Sequence, residues 1–173
     1  MNKRMTVRDI AGFCPEEAIW RMMDHVSGFL IKESSGFPLN ADTIVVDGEQ
    51  FMVTGSPDGT TVEDMVWALG ATAYYAATGH KVFGGHGRSY QQEHPQVSLP
   101  VLPKTFQALT PVIHRCLCYD ASERIGMEEL KHLAQEGLDT CSQRQRNKAI
   151  RTGNPAKEKK NLFDKWPEEM KES

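Results

Sequence analysis

Six histidines, four cysteines and one glycine-rich run are the residues of this 173-residue chain that could do chemistry. His114, Cys116 and Cys118 are of the types that hold zinc. On a helix, residues two apart diverge by about 200°, so the trio cannot converge on one ion without breaking the helix that Thr110-Pro111 opens. Cys116 is therefore expected as a small core residue. His80, His86 and His94 fall in one connection, without the defined spacing that three or four zinc ligands need, and are expected as loop histidines. Gly84 to Ser89, GGHGRS, has the glycines of a phosphate cradle. No predicted strand leads into it and no Gly-Lys-Ser/Thr follows, so the backbone N–H groups have nothing to aim them at a phosphate. A different use is a contact surface over Gly84 to Tyr90 with Arg88 and Tyr90 as anchors, both types being common at binding hot spots. Neither a metal nor a cofactor is expected.

The elements that must position these residues follow from pattern. Thr6 and Asp9 have capping-box spacing, and a short helix from Val7 to Gly12 follows. Pro15 suits the first position of a second helix, in which Ile19, Met22, Met23, Val26, Phe29 and Leu30 repeat at helical spacing. Met22 and Met23 are expected in the core. Ser34, Ser35, Gly36 and Pro38 break the pattern. Two β-rich runs then flank Asp47-Gly48, a hairpin signal. From Val62 to Thr78 a helix presents Val66, Leu69, Gly70, Ala73 and Ala77 on one face and ends at Gly79. Its small residues suggest close packing at the centre of the domain. A further helix has Ile113, Cys116 and Leu117 inside. A last one holds Met127, Leu130, Leu133 and Ala134 and is expected to stop at Gly137. The class is mainly α with one small β-hairpin.

Three of these segments, in order, resemble the carboxy-terminal lobe of protein kinases. VWALGATAYYAATGHKVFGG is similar to the central kinase helix, D-x-W-S-L-G followed by T-G-x-x-P-F, through Trp67, Leu69, Gly70, Thr78, Gly79 and Phe83. LTPVIHRCLCYDASERIGMEEL resembles the L-x-x-D-P-x-x-R-x-x-x-x-E-L segment through Leu117, Asp120, Arg124, Glu129 and Leu130. TIVVDGEQFMV is similar to the hairpin between the catalytic and metal-binding loops. The resemblance implies a kinase carboxy-lobe-like helical domain, with Trp67, Gly70, Asp120 and Arg124 as structural residues.

The same alignment removes the chemistry. Phosphoryl transfer needs a phosphate-covering loop, a lysine on the phosphates, metal ligands and a proton-accepting aspartate. Only about fourteen residues precede the first kinase-like helix, too few for the nucleotide lobe that carries the loop and lysine. H-R-D falls on Gly36-Phe37-Pro38, and Thr43 stands for the metal-ligating asparagine. D-F-G falls near Gly55-Ser56-Pro57, with Asp58 one residue beyond. The aspartate that supports the catalytic loop in kinases aligns with Met65. No A-P-E glutamate is present to pair with Arg124, which is left to find Glu63 or Asp58 or stay exposed. A lobe without its nucleotide half resembles the KIND domain, a non-catalytic kinase-derived module, whose opening helices are similar to this chain at Glu16, Glu17 and Trp20. A degenerate bacterial serine/threonine kinase fits equally.

Charge divides the chain. Ser142 to Ser173 carries nine Lys/Arg against five Asp/Glu, leaving eleven against eighteen for the rest. A polar tail of this kind does not bury enough surface to offset its ordering entropy, so the domain is expected over 1–138 and a basic tail over 139–173. Within the tail, Leu162, Phe163, Trp166 and Met170 have the spacing of groove-docking anchors. Nucleic acid is not the expected partner, because no aromatic residues interleave the basic stretch. No run of about 18 apolar residues offers a membrane span, and the basic residues near the amino terminus precede no signal-peptide-like apolar stretch. Cys14, Cys116, Cys118 and Cys141 suggest no disulfide framework, which suits a cytoplasmic setting. The expected function is binding another protein, a signalling enzyme being one candidate, in a regulatory or scaffolding role. The expected surface is the face near Phe37, Pro38 and Phe51, or the tail motif. A residual nucleotide-using enzyme and a structural segment of a larger assembly are the alternatives.

Overall fold

Thr6 and Asp9 start the first structure in the chain. The Asp9 carboxylate accepts from the Thr6 N–H at 2.8 Å and from its hydroxyl at 3.2 Å, the reciprocal contact of a capping box. The computed structural model, which describes residues 4–33 and 35–152, begins helix α1 there, over Val7–Ile10. Met5–Thr6 pairs as strand β1 with β2 (Ile44–Asp47), which pairs with β3 (Gln50–Val53). The sheet is antiparallel, in the order β1-β2-β3. It has one strand more than the expected hairpin, because two residues are too few for an alternation to be read. Asp47 faces Gln50, so the tight loop is Gly48-Glu49, one residue later than expected.

Helix α2 (Glu16–Lys32) buries Ile19, Met22, Met23, Val26 and Leu30, and packs Phe29 against the core. Pro15 is its N-cap rather than its first residue. Helix α3 (Val62–Thr78) opens with the Thr61 hydroxyl accepting from the Asp64 N–H at 3.2 Å and closes at Gly79, as expected. A Cβ on Gly70 would lie 2.4 Å from Cys116 Cβ on the crossing helix α5 (Thr110–Cys116). The two backbones therefore meet only because position 70 has no side chain. Cys116 is fully buried there, and burial pushes its thiol up to about 12. It is a core residue. The connection between α3 and α5 holds a short helix, α4 (Gly87–Glu93), and two 3-10 turns, Val82–Gly85 and Lys104–Phe106.

The last helix departs most from expectation. Helix α6 runs unbroken over Met127–Thr152, so the helix does not stop at Gly137 and continues past residue 138. Gly137 is small for a different reason. A Cβ there would lie 2.3 Å from Trp20 Cδ2, so glycine lets α6 close on the indole of α2. Two of the polar residues beyond it reach back to α2. Arg144 donates to Glu16 at 3.2 Å, Gln145 donates to Glu17 at 2.8 Å, and Cys141 is buried. Glu16 also accepts from Trp20 Nε1 at 3.1 Å. The Glu16, Glu17 and Trp20 set thus fixes α6 to the start of α2.

Strand β3 is a sheet edge, and α2 satisfies part of it. The Phe51 N–H donates to His25 Nδ1 at 3.2 Å, a donor that would otherwise be a free edge group. Burial, together with Arg21 and Lys131 nearby, lowers the pKa of His25, with Asp24 opposing.

Two outcomes follow. Helix propensity alone would make Gly137→Ala stabilising by about 0.5–1 kcal/mol, but overpacking against Trp20 costs about 1–3 kcal/mol. A net loss, read as a lower Tm in thermal melts, is expected; a gain would mean α6 does not sit on Trp20. His25 has a folded pKa below its unfolded value near 6.5, so the unfolded chain takes the proton more readily. Its stabilising contribution is present above that value and lost as pH falls through the lower folded value. The parent's Tm should therefore drop faster than that of His25→Gln between about pH 7 and 5; parallel curves would contradict the bond.

Candidate functional site

The structure divides the sequence-derived candidates sharply. Phe37 and Phe51 are 7% and 5% exposed and belong to the core. Phe37 stands edge-on to Phe29 at 5.2 Å, and Phe51 lies 6.3 Å from the His25 ring. Helix α2 covers both, so neither offers a contact surface; Pro38 between them is half-buried. Leu162, Phe163, Trp166 and Met170 lie outside the described residues. Arg88 and Tyr90 are half-buried on α4, beside a cleft.

That cleft is built by the turn before α4. Phe83, Gly84 and Gly85 follow one another with φ of 53°, 65° and 90°. Phe83 is the one non-glycine with positive φ among the described residues. A bulky side chain in the left-handed region costs free energy, and such residues persist where surrounding contacts hold them. Here the contacts are aromatic: Tyr90 stacks on Phe83 at 5.9 Å, on His86 at 5.9 Å and on His94 at 4.3 Å. The three loop histidines are therefore not alike, since two of them sandwich Tyr90.

Helix α4 is pinned to the core by a buried polar bridge. Trp67 Nε1 donates to Gln91 Oε1 at 2.9 Å, and Gln91 Nε2 donates to the Leu117 carbonyl at 2.6 Å. Gln91 is 3% exposed, so the bridge satisfies groups that would be costly to leave unpaired. Arg88 adds an ion pair with Asp64 in the first turn of α3.

Between this pinned turn, α3 and the segment before β2 lies an open cavity of about 230 Å³. Its α3 wall is Trp67, Ala68, Ala71, Thr72 and Tyr75; Leu39, Asn40 and Ala41 face it, and Val82 and Gly85 close it. Arg8 and Lys81 stand at its margins. The surface is apolar and small-residued, with cations at the edge and Tyr75 and Asn40 as polar groups. The small residues of α3 serve two ends: Gly70, Ala73 and Ala77 are buried in packing, whereas Ala68 and Ala71 line the cleft. The signal missed is that α3 carries no charge after Asp64, so even its Ala68, Ala71 and Tyr75 side is not built for open solvent.

A second cavity lies beside the segment aligned with the kinase catalytic loop. It is lined by Leu30, Glu33, Gly36, Pro57, Thr60 and Val62, among others. Its loop is held by the Asp58 N–H donating to the Gly36 carbonyl at 2.9 Å. Asp58 itself turns back to accept from Thr60 N–H at 2.9 Å and Thr60 hydroxyl at 2.5 Å, bonds that hold its carboxyl below the usual range. Glu33 is the one charged group among the residues that line the cavity. Among the described residues no three His, Cys, Asp or Glu side chains gather as a metal site.

Arg124 corrects another expectation. It is 7% exposed and, among the described residues, hydrogen-bonds to carbonyls and not to a carboxylate. Its guanidinium instead donates to the carbonyls of Cys118 at 2.8 and 3.1 Å, Glu63 at 2.9 Å and Tyr119 at 3.3 Å. Burial lowers its pKa. The arginine staples the end of α5 to the start of α3. Asp120, exposed beside it, accepts from Ser122 N–H at 2.9 Å and caps the turn before α6.

The chain matches no known protein-family model and no curated protein.

Gln91→Leu keeps the volume but strands the buried Trp67 indole N–H, a loss of about 1–3 kcal/mol. We expect a lower Tm and faster amide exchange over residues 81–94 than elsewhere. Unchanged exchange there would show that the bridge does not hold α4.

Proposed function

We propose that the protein is a non-catalytic protein-binding module, regulatory or scaffolding in role, on a scaffold like the carboxy-terminal lobe of a protein kinase. One contact carries the reading. The alignment with kinases sets the catalytic triplet on Gly36-Phe37-Pro38 and the supporting aspartate on Met65. These two stretches meet: the Phe37 N–H donates to Met65 Sδ at 3.4 Å. In this reading a thioether, a weak and uncharged acceptor, stands where a kinase would have a carboxylate. Pro38 offers no proton acceptor, and the nearby Asp58 is occupied by Thr60.

The binding surface in this reading is the α3 cleft rather than the Phe37 and Phe51 face. A rigid turn, an apolar floor and charged margins suit an inserted side chain from a protein segment, as in groove recognition. Four free thiols agree with a cytoplasmic setting. No helix among the described residues is long and apolar enough to cross a membrane.

Affinity capture with three forms of the full chain tests the module. Ala71→Arg fills the cleft floor, and Gln135→Arg adds the same charge on the exposed side of α6. With Tm unchanged in both, a specific partner should be retained by the parent and Gln135→Arg and lost by Ala71→Arg. Equal capture by all three would move binding off the cleft.

A further inference from the structure

The cleft beside α3 has a chemistry more specific than an apolar groove. Lys81 is exposed at its margin and makes no hydrogen bond or ion pair among the described residues. Arg8 is held in place by a two-bond fork to Asp42 at 2.5 Å. An empty apolar cavity of about 150 Å³ already holds a benzene ring, so 230 Å³ admits an indole. The fitting occupant is an aromatic side chain with carboxylates close by in sequence.

The chain carries such a segment outside its described residues. Leu162 to Met170, LFDKWPEEM, has Phe163 and Trp166 among three carboxylates and one lysine. We propose that this segment of the same chain docks in the cleft, with Trp166 over Ala68 and Ala71 and with Glu168 and Glu169 toward Lys81. The inference rests on the cleft being a binding surface, as read above. Reach permits it. Nine residues, Gly153 to Asn161, lead from α6 to the segment, and at about 3.3–3.6 Å each they span about 30 Å. The second half of α6 runs past Glu16 and Glu17 at the start of α2. The turn before α2 sits on the end of α3, where the Gly12 N–H donates to the Ala76 carbonyl at 2.9 Å. Ala76 is next to Tyr75 of the cleft wall. A short tether gives an effective concentration on the order of millimolar, so a site whose Kd lies well below that stays filled. A partner must then displace the segment, and the module is self-masked at rest.

Backbone NMR of the full chain tests this. The parent is compared with a full-length variant carrying Leu162→Ser, Phe163→Ser and Trp166→Ser. The amides of Ala68, Ala71, Lys81 and Gly85 should shift in the variant. A synthetic peptide of residues 160–173 added to that variant should return them to parental positions. Adding Lys81→Glu should weaken the peptide tenfold or more. Shifts confined to residues 153–173, or centred on another surface, would overturn self-docking. So would a peptide whose binding ignores Lys81→Glu. Should self-docking fail while capture still depends on Ala71, the cleft belongs to a partner and the proposed function stands. Should the segment dock while capture ignores Ala71, the cleft is a self-contact alone.

Discussion

Between Met65 and Thr78, helix α3 carries no charged side chain, and the rest of the domain answers to that. A helix apolar all round is stable only when covered all round. Helix α5 covers it at Gly70, where the backbones nearly touch. The turn after α1 covers its far end through Gly12 and Ala76. Helix α4 closes over Trp67 by way of Gln91. Even its hydroxyls turn inward, Thr72 to the Ala68 carbonyl at 2.8 Å and Thr78 to that of Tyr74 at 2.9 Å. The Ala68, Ala71 and Tyr75 side is what remains, and it faces the cleft. The candidate site is thus the part of α3 that the fold leaves open.

Local signals and distant partners differ in how far the sequence reveals them. The bounds of α3 were readable because Thr61 and Gly79 act within one turn of the helix they end. The inner faces of α2 and α5 were readable because helical spacing repeats along the chain. Gly137 was misread because a glycine that stops a helix and one that admits a neighbour look alike, and Trp20 is far away in sequence. The extent of α6 past Gly137 is hidden in the sequence for the same reason. Its Arg and Gln residues form helices well, but they gain their hold from Glu16 and Glu17, 128 residues earlier. Helix α4 was hidden by its glycine and histidine composition and is fixed by Gln91, whose partners are tertiary.

The misplacement of Phe37 and Phe51 has a related cause. A kinase-like plan without its nucleotide lobe would bare an upper face, and the sequence pattern alone cannot show that both rings are covered. In the fold, Phe29 and His25 of α2 cover them. Several charged groups are likewise engaged in structural contacts. Arg88 pairs with Asp64, Arg124 binds carbonyls, and Asp58 closes its own turn. The cleft beside α3, by contrast, is open, with Lys81 at its edge.

The claim that this scaffold binds protein without phosphotransfer meets its most direct test in thermal melts of the full chain with millimolar magnesium and ATP. A ligand at a hundred times its Kd stabilises a folded protein by about 2.7 kcal/mol, which is a shift of several degrees for a chain of this size. The account predicts no shift beyond that given by magnesium alone. A rise of several degrees with ATP, lost on Asp58→Asn, would show a working nucleotide site and contradict it.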